Sequence, residues 1–349
     1  MTGKPTNAIS AQPCQGGLDD QQIKQWRDQG FVFVSQLLPQ ALIASTSQKA
    51  GEQYPKANTR EADQFADFGS NGALTFPSQV SALNEVTLHP NLLGSVAALL
   101  DEPVNELRLT QSDLWAKYGR ATHGQEKYGR ENRQVAQDNQ DQRIHVDYPN
   151  HTLAHPTPWH RPEAVEIIIY FDEVEKTGGS TAIVPRNGQG DPAYRWPIVD
   201  SPGIGDLRYI NDRASAEAYF ADERPELKAW RKSLYEKEKV AWFKPGDVLF
   251  YRHDTWHRGT PMMPGSRRLV QNLTYRRASA EWISTLHIGW AWSAYKDDKF
   301  LERLIAGASL DQRAILGFPQ PGSHYWCEET VAAVGARYGM FGMDMTPYR

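Results

Sequence analysis

The stretch RIHVDYP (143–149) decides how the rest of the chain is read. It scans as a short strand closed by a proline, and along a strand residues i and i+2 point to the same side. His145 and Asp147 therefore stand side by side, an imidazole and a carboxylate suited to two adjacent corners of a metal octahedron. With 42 acidic residues in 349 and ten histidines, about one such pair arises by chance, so its weight comes from what surrounds it.

What surrounds it is strand-like. Upstream, LRLTQSDLWAKYG (107–119) alternates, with Gln111, Asp113, Trp115 and Lys117 on one face. Downstream come AVEIIIYF (164–171), STAIVP (180–185), DVLFYR (247–252) and RRLVQNLTYR (267–276). Such runs, separated by Gly/Pro turns and without βαβ alternation, predict a mainly β sandwich or closed barrel with flanking helices. The β-core spans about 104–277, interrupted by a helical insert at about 191–240 with patches at 214–222 and 225–238. The polar stretch 119–142 reads as a loop, and 278–349 as a Trp-rich helical extension.

Before the core, residues 1–18 read as a flexible tail. Asp19 and Asp20 cap a helix that runs to Gln29 and stops at Gly30; FVFV (31–34) reads as a strand, and 39–54 and 90–100 as helices. Residues 19–349 are expected to form one domain.

Composition narrows the function. A net charge of −4 gives no basic field for a nucleic-acid backbone. No apolar run approaches the roughly 20 residues that span a bilayer, and the N-terminus has no signal-peptide core. Cys14 and Cys327, one near each end, give neither a disulfide framework nor a cysteine metal cluster. A cytoplasmic protein acting on a small molecule is expected, with oligomeric state not legible. Eleven Trp, 15 Tyr and 12 Phe point to a large aromatic core or pocket.

A second histidine beside His145 and Asp147 would complete a facial triad with three open positions, which suits non-haem Fe(II). DVLFYRHDTWHRGT (247–260) offers His253 and His257. An iron oxygenase that chelates 2-oxoglutarate also needs a cation for the far carboxylate, and a guanidinium matches it with two parallel hydrogen bonds. Arg267 and Arg268 open the next strand; Arg268 shares the more polar face with Asn272 and Thr274 and is preferred.

With His257 lying 110 residues beyond Asp147 and Arg268 eleven further on, the sequence resembles the phytanoyl-CoA dioxygenase type of Fe(II)/2-oxoglutarate dioxygenase. IKQWRDQGFVFVSQLLP (23–39), TGGSTAIVPRNG (177–188) and FKPGDVLFY (243–251) are similar to that family's segments, so the resemblance covers roughly 20–277. It implies a double-stranded β-helix (jelly roll), with Fe(II) on His145, Asp147 and His257, and with 2-oxoglutarate and O2 as cosubstrates. It also implies that Lys117 helps Arg268 hold the 2-oxoglutarate, with Gln111 on the same face. The expected reaction is C–H hydroxylation with release of succinate and CO2.

Arg186, Asn187 and Gly188 replace the family's usual residues after Val184-Pro185, and Arg258 to Pro264 departs from its usual turn, so the acyl-CoA substrate is not carried over. Asp147 argues against halogenases of this type, which carry a small residue there. Candidate substrate contacts are Tyr148, Trp159 and Trp256 as cavity walls, and Arg186 and Arg258 for an acidic group. Two other readings share the pattern: a catalytically silent jelly-roll binding or regulatory protein, and a zinc or nickel barrel hydrolase or isomerase. The second gives Arg268 no task.

Overall fold

β-branched and aromatic residues crowd the long alternating runs, and these pair into two sheets. The computed structural model describes residues 4–63, 73–119, 141–147, 152–188, 190–194, 212–283 and 299–349. Tyr148, most of the polar stretch 119–142 and part of the insert and of the C-terminal extension lie outside the described residues. The strands are β1 (Ala8–Ile9), β2 (Gln12–Pro13), β3 (Phe31–Ser35), β4 (Leu74–Thr75), β5 (Leu107–Tyr118) and β6 (Ala164–Tyr170). They continue with β7 (Thr181–Ile183), β8 (Lys239–Ala241), β9 (Val248–Tyr251), β10 (His257–Gly259) and β11 (Arg267–Arg277).

One sheet has the order β2-β3-β9-β6-β11-β5-β4 and the other β1-β8-β7-β10. Together they form a jelly roll. β6 is buried along its whole length because both its faces are covered. Ile167 and Ile169 face a core shared with Leu83, Leu92, Val96 and Leu99 of the N-terminal helices. Ile168 and Tyr170 face the space between the sheets, with Phe33, Ile183, Phe243, Leu249 and Val270.

The helices are α1 (Asp20–Gln29), α2 (Gln40–Gly51), α3 (Arg60–Asp63), α4 (Ser81–Thr87), α5 (Pro90–Leu100) and α6 (Val174–Thr177). After them come α7 (Arg213–Glu223), α8 (Lys228–Lys237), α9 (Phe300–Gly307), α10 (Leu310–Ile315) and α11 (Glu328–Tyr338). α1 is held by an Asp19–Gln22 capping box and ends at Gly30 in the left-handed conformation, as the sequence predicts. α7 and α8 lie in the insert. Leu227, Trp230 and Leu234 from this region pack on Ile144, Val146 and Trp256. α9 to α11 build a separate core around Trp282, Phe318, Tyr325 and Tyr338. Among the described residues no helix is long and apolar enough to cross a membrane.

Two expectations need correction. Part of the expected flexible tail is paired: β1 lies parallel to β8 and β2 parallel to β3, with Cys14 buried behind them. These two-residue strands fill edges made by distant segments, so no local pattern announces them. The described part of RIHVDYP, residues 143–147, also does not form a regular strand. His145 makes a single bridge to His257, and the Gln142 N–H donates to the Gly259 carbonyl. The segment extends the smaller sheet past β10 without a continuous ladder.

Candidate metal centre

The alternation in RIHVDYP sets the site. Ile144 and Val146 are buried against the insert helices, which turns His145 and Asp147 the other way. There the ligand atoms of His145, Asp147 and His257 all lie within 4.8 Å of one another. His145 Nε2 is 3.7 Å from Asp147 Oδ1, and His257 Nε2 is 3.1 Å from Asp147 Oδ2. His253, the alternative third ligand, instead places its Nε2 2.8 Å from Glu166 Oε1.

Both triad histidines are oriented in the same way. His145 Nδ1 lies 2.9 Å from the Arg143 carbonyl, and His257 Nδ1 lies 3.0 Å from the Thr255 carbonyl. A carbonyl oxygen only accepts, so each Nδ1 carries the proton and each Nε2 offers a lone pair to the common centre. Burial, aided by neighbouring His257, pulls the His145 pKa down to about 3, so its imidazole stays neutral. Burial pulls on His257 as well, but the Asp147 carboxylate outweighs it and the net shift is upward. The Tyr251 hydroxyl donates to Asp147 Oδ2 at 3.2 Å, and burial holds the phenol far above its ordinary range, so it remains a donor. Two imidazoles, one carboxylate and satisfied outer hydrogen bonds fit a divalent iron once His257 gives up its proton.

Arg268 is buried on the interior side of β11. Its guanidinium stacks 4.5 Å from the Tyr170 ring, Nη1 donates to the Tyr170 hydroxyl at 3.0 Å, and Nε has no hydrogen-bond partner among the described residues. The Tyr170 hydroxyl lies 3.0 Å from Thr181 Oγ1. Gly179 makes room for this group: its φ is +69°, and a Cβ there would lie 2.9 Å from Arg268 Nη1. Lys117 sits directly opposite Arg268 in the β5–β11 register, and Gln111 opposite Thr274. Arg267 turns the other way and donates to the carbonyls of Gly51, Tyr54 and Pro55.

The other candidates have protein partners. Trp159 is sandwiched between Arg186 at 3.9 Å and Arg252 at 3.8 Å. Trp256 is fully buried, edge-on to Trp230. Arg258 pairs with Glu238 at 2.7 Å and with Asp141, on the side of β10 away from His257. Sequence reasoning missed Tyr251, Tyr170 and Glu166. Glu166 carried a visible signal, since it is the one acid in an otherwise apolar strand run. The two tyrosines, in aromatic-rich strands, looked like ordinary core.

A family model described as Phytanoyl-CoA dioxygenase (PhyH) matches residues 26–270, which contain the whole triad, Lys117 and Arg268. The chain belongs to this family. It is therefore an enzyme of the Fe(II)/2-oxoglutarate-dependent dioxygenase type, with Fe(II), 2-oxoglutarate and O2 as its cofactors.

Solved structures show the same fold. The non-heme alpha ketoglutarate dependent carbocyclase SnoK from nogalamycin biosynthesis is 16% identical, with a TM-score of 0.50 over 76% of this chain and 87% of its own. EvdO2 from Micromonospora carbonacea var. aurantiaca is 17% identical, with a TM-score of 0.50 over 80% of this chain and 98% of its own. Among curated proteins, no sequence matches.

Proposed function

We propose that this PhyH-family enzyme hydroxylates a C–H bond of a small molecule, converting 2-oxoglutarate to succinate and CO2. His145, Asp147 and His257 hold the iron. Arg268 receives the far carboxylate of 2-oxoglutarate, with Lys117 and Gln111 on the same sheet face. The observation that carries this reading is the pairing of two features: three converging ligand atoms with both histidine Nδ1 atoms on carbonyls, and a buried guanidinium inside the same barrel whose Nε has no hydrogen-bond partner among the described residues.

When bound, iron with 2-oxoglutarate and O2 supplies the oxidising power. The chain supplies position. With Asp147 as the third protein ligand beside the two histidines, the metal would be held by a full two-histidine, one-carboxylate set. Tyr251 anchors the Asp147 carboxylate, and Tyr170 with Gly179 shapes the place where Arg268 turns inward.

For the substrate we propose Tyr148, next to Asp147 in sequence, as a contact. Trp159, Arg186, Trp256 and Arg258, the other candidate contacts, are each packed or paired with other side chains.

The test is incubation of Fe(II)-loaded protein with 2-oxoglutarate, air and a cell extract. The expected outcome is metabolites that gain one oxygen together with succinate, both absent with His145→Ala. Equal succinate from the variant would overturn the reading.

A further inference from the structure

We infer that the helical insert is part of the metal centre, because Tyr235 and Tyr194 are positioning residues that each brace the peptide behind one metal histidine. This rests on the iron site proposed above. It starts from a pattern shared by the two ligands. His145 donates through Nδ1 to the Arg143 carbonyl, and the N–H of that same peptide unit, on Ile144, donates to the Tyr235 hydroxyl at 3.0 Å. His257 donates through Nδ1 to the Thr255 carbonyl, and the N–H of that peptide unit, on Trp256, donates to the Tyr194 hydroxyl at 3.4 Å. One tyrosine precedes α7 and the other lies on α8, so the insert contributes to both.

Each arrangement is a chain of hydrogen bonds running one way, from imidazole to carbonyl, across the peptide and on to a phenol. Bonds in such a chain polarise one another, and a stronger acceptor at Nδ1–H makes Nε2 a better electron donor.

The two chains end differently. Tyr194 donates to the Val184 carbonyl at 2.5 Å, a neutral acceptor. Tyr235 donates to Glu217 Oε1 at 2.7 Å, and Glu217 is held in a two-pronged pair by the fully buried Arg231, with nitrogen–oxygen distances of 2.6 to 3.0 Å. Arg231 Nη2 also reaches the Ile144 carbonyl at 3.4 Å. Burial and the Glu217 carboxylate push the Tyr235 phenol up to about 12 against the pull of Arg231, so it stays a donor over the working pH range. The His145 chain thus ends on an anion and has the shorter peptide contact. His145 is the more strongly tuned ligand of the two.

The experiment loads the full-length protein with Co(II), a paramagnetic stand-in for iron. It reads Co(II) affinity by competition titration and the two exchangeable, hyperfine-shifted Nδ1–H proton resonances by NMR. Tyr235→Phe is expected to weaken Co(II) binding about tenfold, the low end of what partners behind a metal ligand contribute, and to move one resonance. Tyr194→Phe should move the other and cost less affinity. Glu217→Gln, which leaves both tyrosines in place, should move the same resonance as Tyr235→Phe. A merely structural role would lower thermal stability without this one-to-one pattern. Both resonances unmoved in the two tyrosine variants, with or without lost affinity, would overturn the inference. Wild-type protein that binds no Co(II), or shows no such pair of resonances, would instead overturn the metal site on which it rests.

Discussion

His145 and His257 are backbone partners: the N–H of each donates to the carbonyl of the other at 2.9 Å. In an antiparallel pair, directly opposed residues send their side chains to the same side. The two rings accordingly lie 4.5 Å apart, centroid to centroid, although the residues are far apart in sequence. Backbone pairing, rather than the rings themselves, brings the ligands together. Truncating a ring should therefore remove the metal and leave the fold. His145→Ala and His257→Ala are each expected to melt within a few degrees of the apo wild type. Each should lose more than about 100-fold in Co(II) affinity, because even partners behind a ligand are worth about 10–100-fold. Calorimetric titration and thermal unfolding check both halves.

Neighbouring arginines on β11 separate two roles. Arg268 faces the barrel interior, whereas Arg267 ties three carbonyls around the end of α2. Arg268→Lys should raise the 2-oxoglutarate dissociation constant by about 10–100-fold, as expected for losing a charge-assisted bidentate contact. Arg267→Ala should leave that constant unchanged and lower stability by about 1–2 kcal/mol. The reverse pattern would show that the two faces of β11 are assigned wrongly.

Proton release on metal binding follows from the two imidazoles. His145, held down to about 3 by burial and by His257, is neutral in the apo protein at any ordinary pH. His257 is shifted upward by Asp147 despite its burial, so it carries a proton below its raised pKa and must lose it to bind metal. Co(II) affinity should therefore fall with a slope of one proton, not two, as pH drops through the His257 titration. Affinity measured against pH checks this, and a two-proton slope would contradict it.

Much of this site was legible because short-range rules decide it. The two-residue period placed His145 beside Asp147, and the polar face of β11 singled out Arg268 over Arg267. Gly30 and Pro90 marked a helix end and a helix start that the structure shows at those places. What the sequence hid depends on long-range partners. β1 and β2 exist because β8 and β3 offer open edges, and Tyr235 and Tyr194 act on peptides from which they are far removed in sequence. Tyr170 and Tyr251 have the aromatic character of core residues, and only the position of their hydroxyls distinguishes them.

Glu163 gives a stability test outside the metal centre. It sits where the barrel meets the C-terminal helices, beside a cavity of about 20 Å³ that has room for about one water. Its Oε2 accepts from Trp282 Nε1 at 3.1 Å. Burial lifts its pKa to about 8 against the pull of Arg161 and Arg277. The folded state thus keeps a proton that the unfolded chain releases above its ordinary pKa of 4.5. The resulting stabilisation is full below that value and is lost as pH rises through about 8. Glu163→Gln, which mimics the protonated form, should match wild type near the unfolded value. Its advantage should then grow by about 1 kcal/mol per pH unit until it levels off. Denaturant unfolding at several pH values would show the trend.

The central claim is that one barrel holds both an iron triad and a guanidinium for a keto acid. Its most direct measurement is anaerobic titration of the Fe(II) protein with 2-oxoglutarate, following the visible charge-transfer band of the chelate. A saturable band at one equivalent is expected, absent in Asp147→Ala and shifted to much higher 2-oxoglutarate concentrations in Arg268→Lys. A protein that binds Fe(II) but gives no band at any 2-oxoglutarate concentration would contradict it.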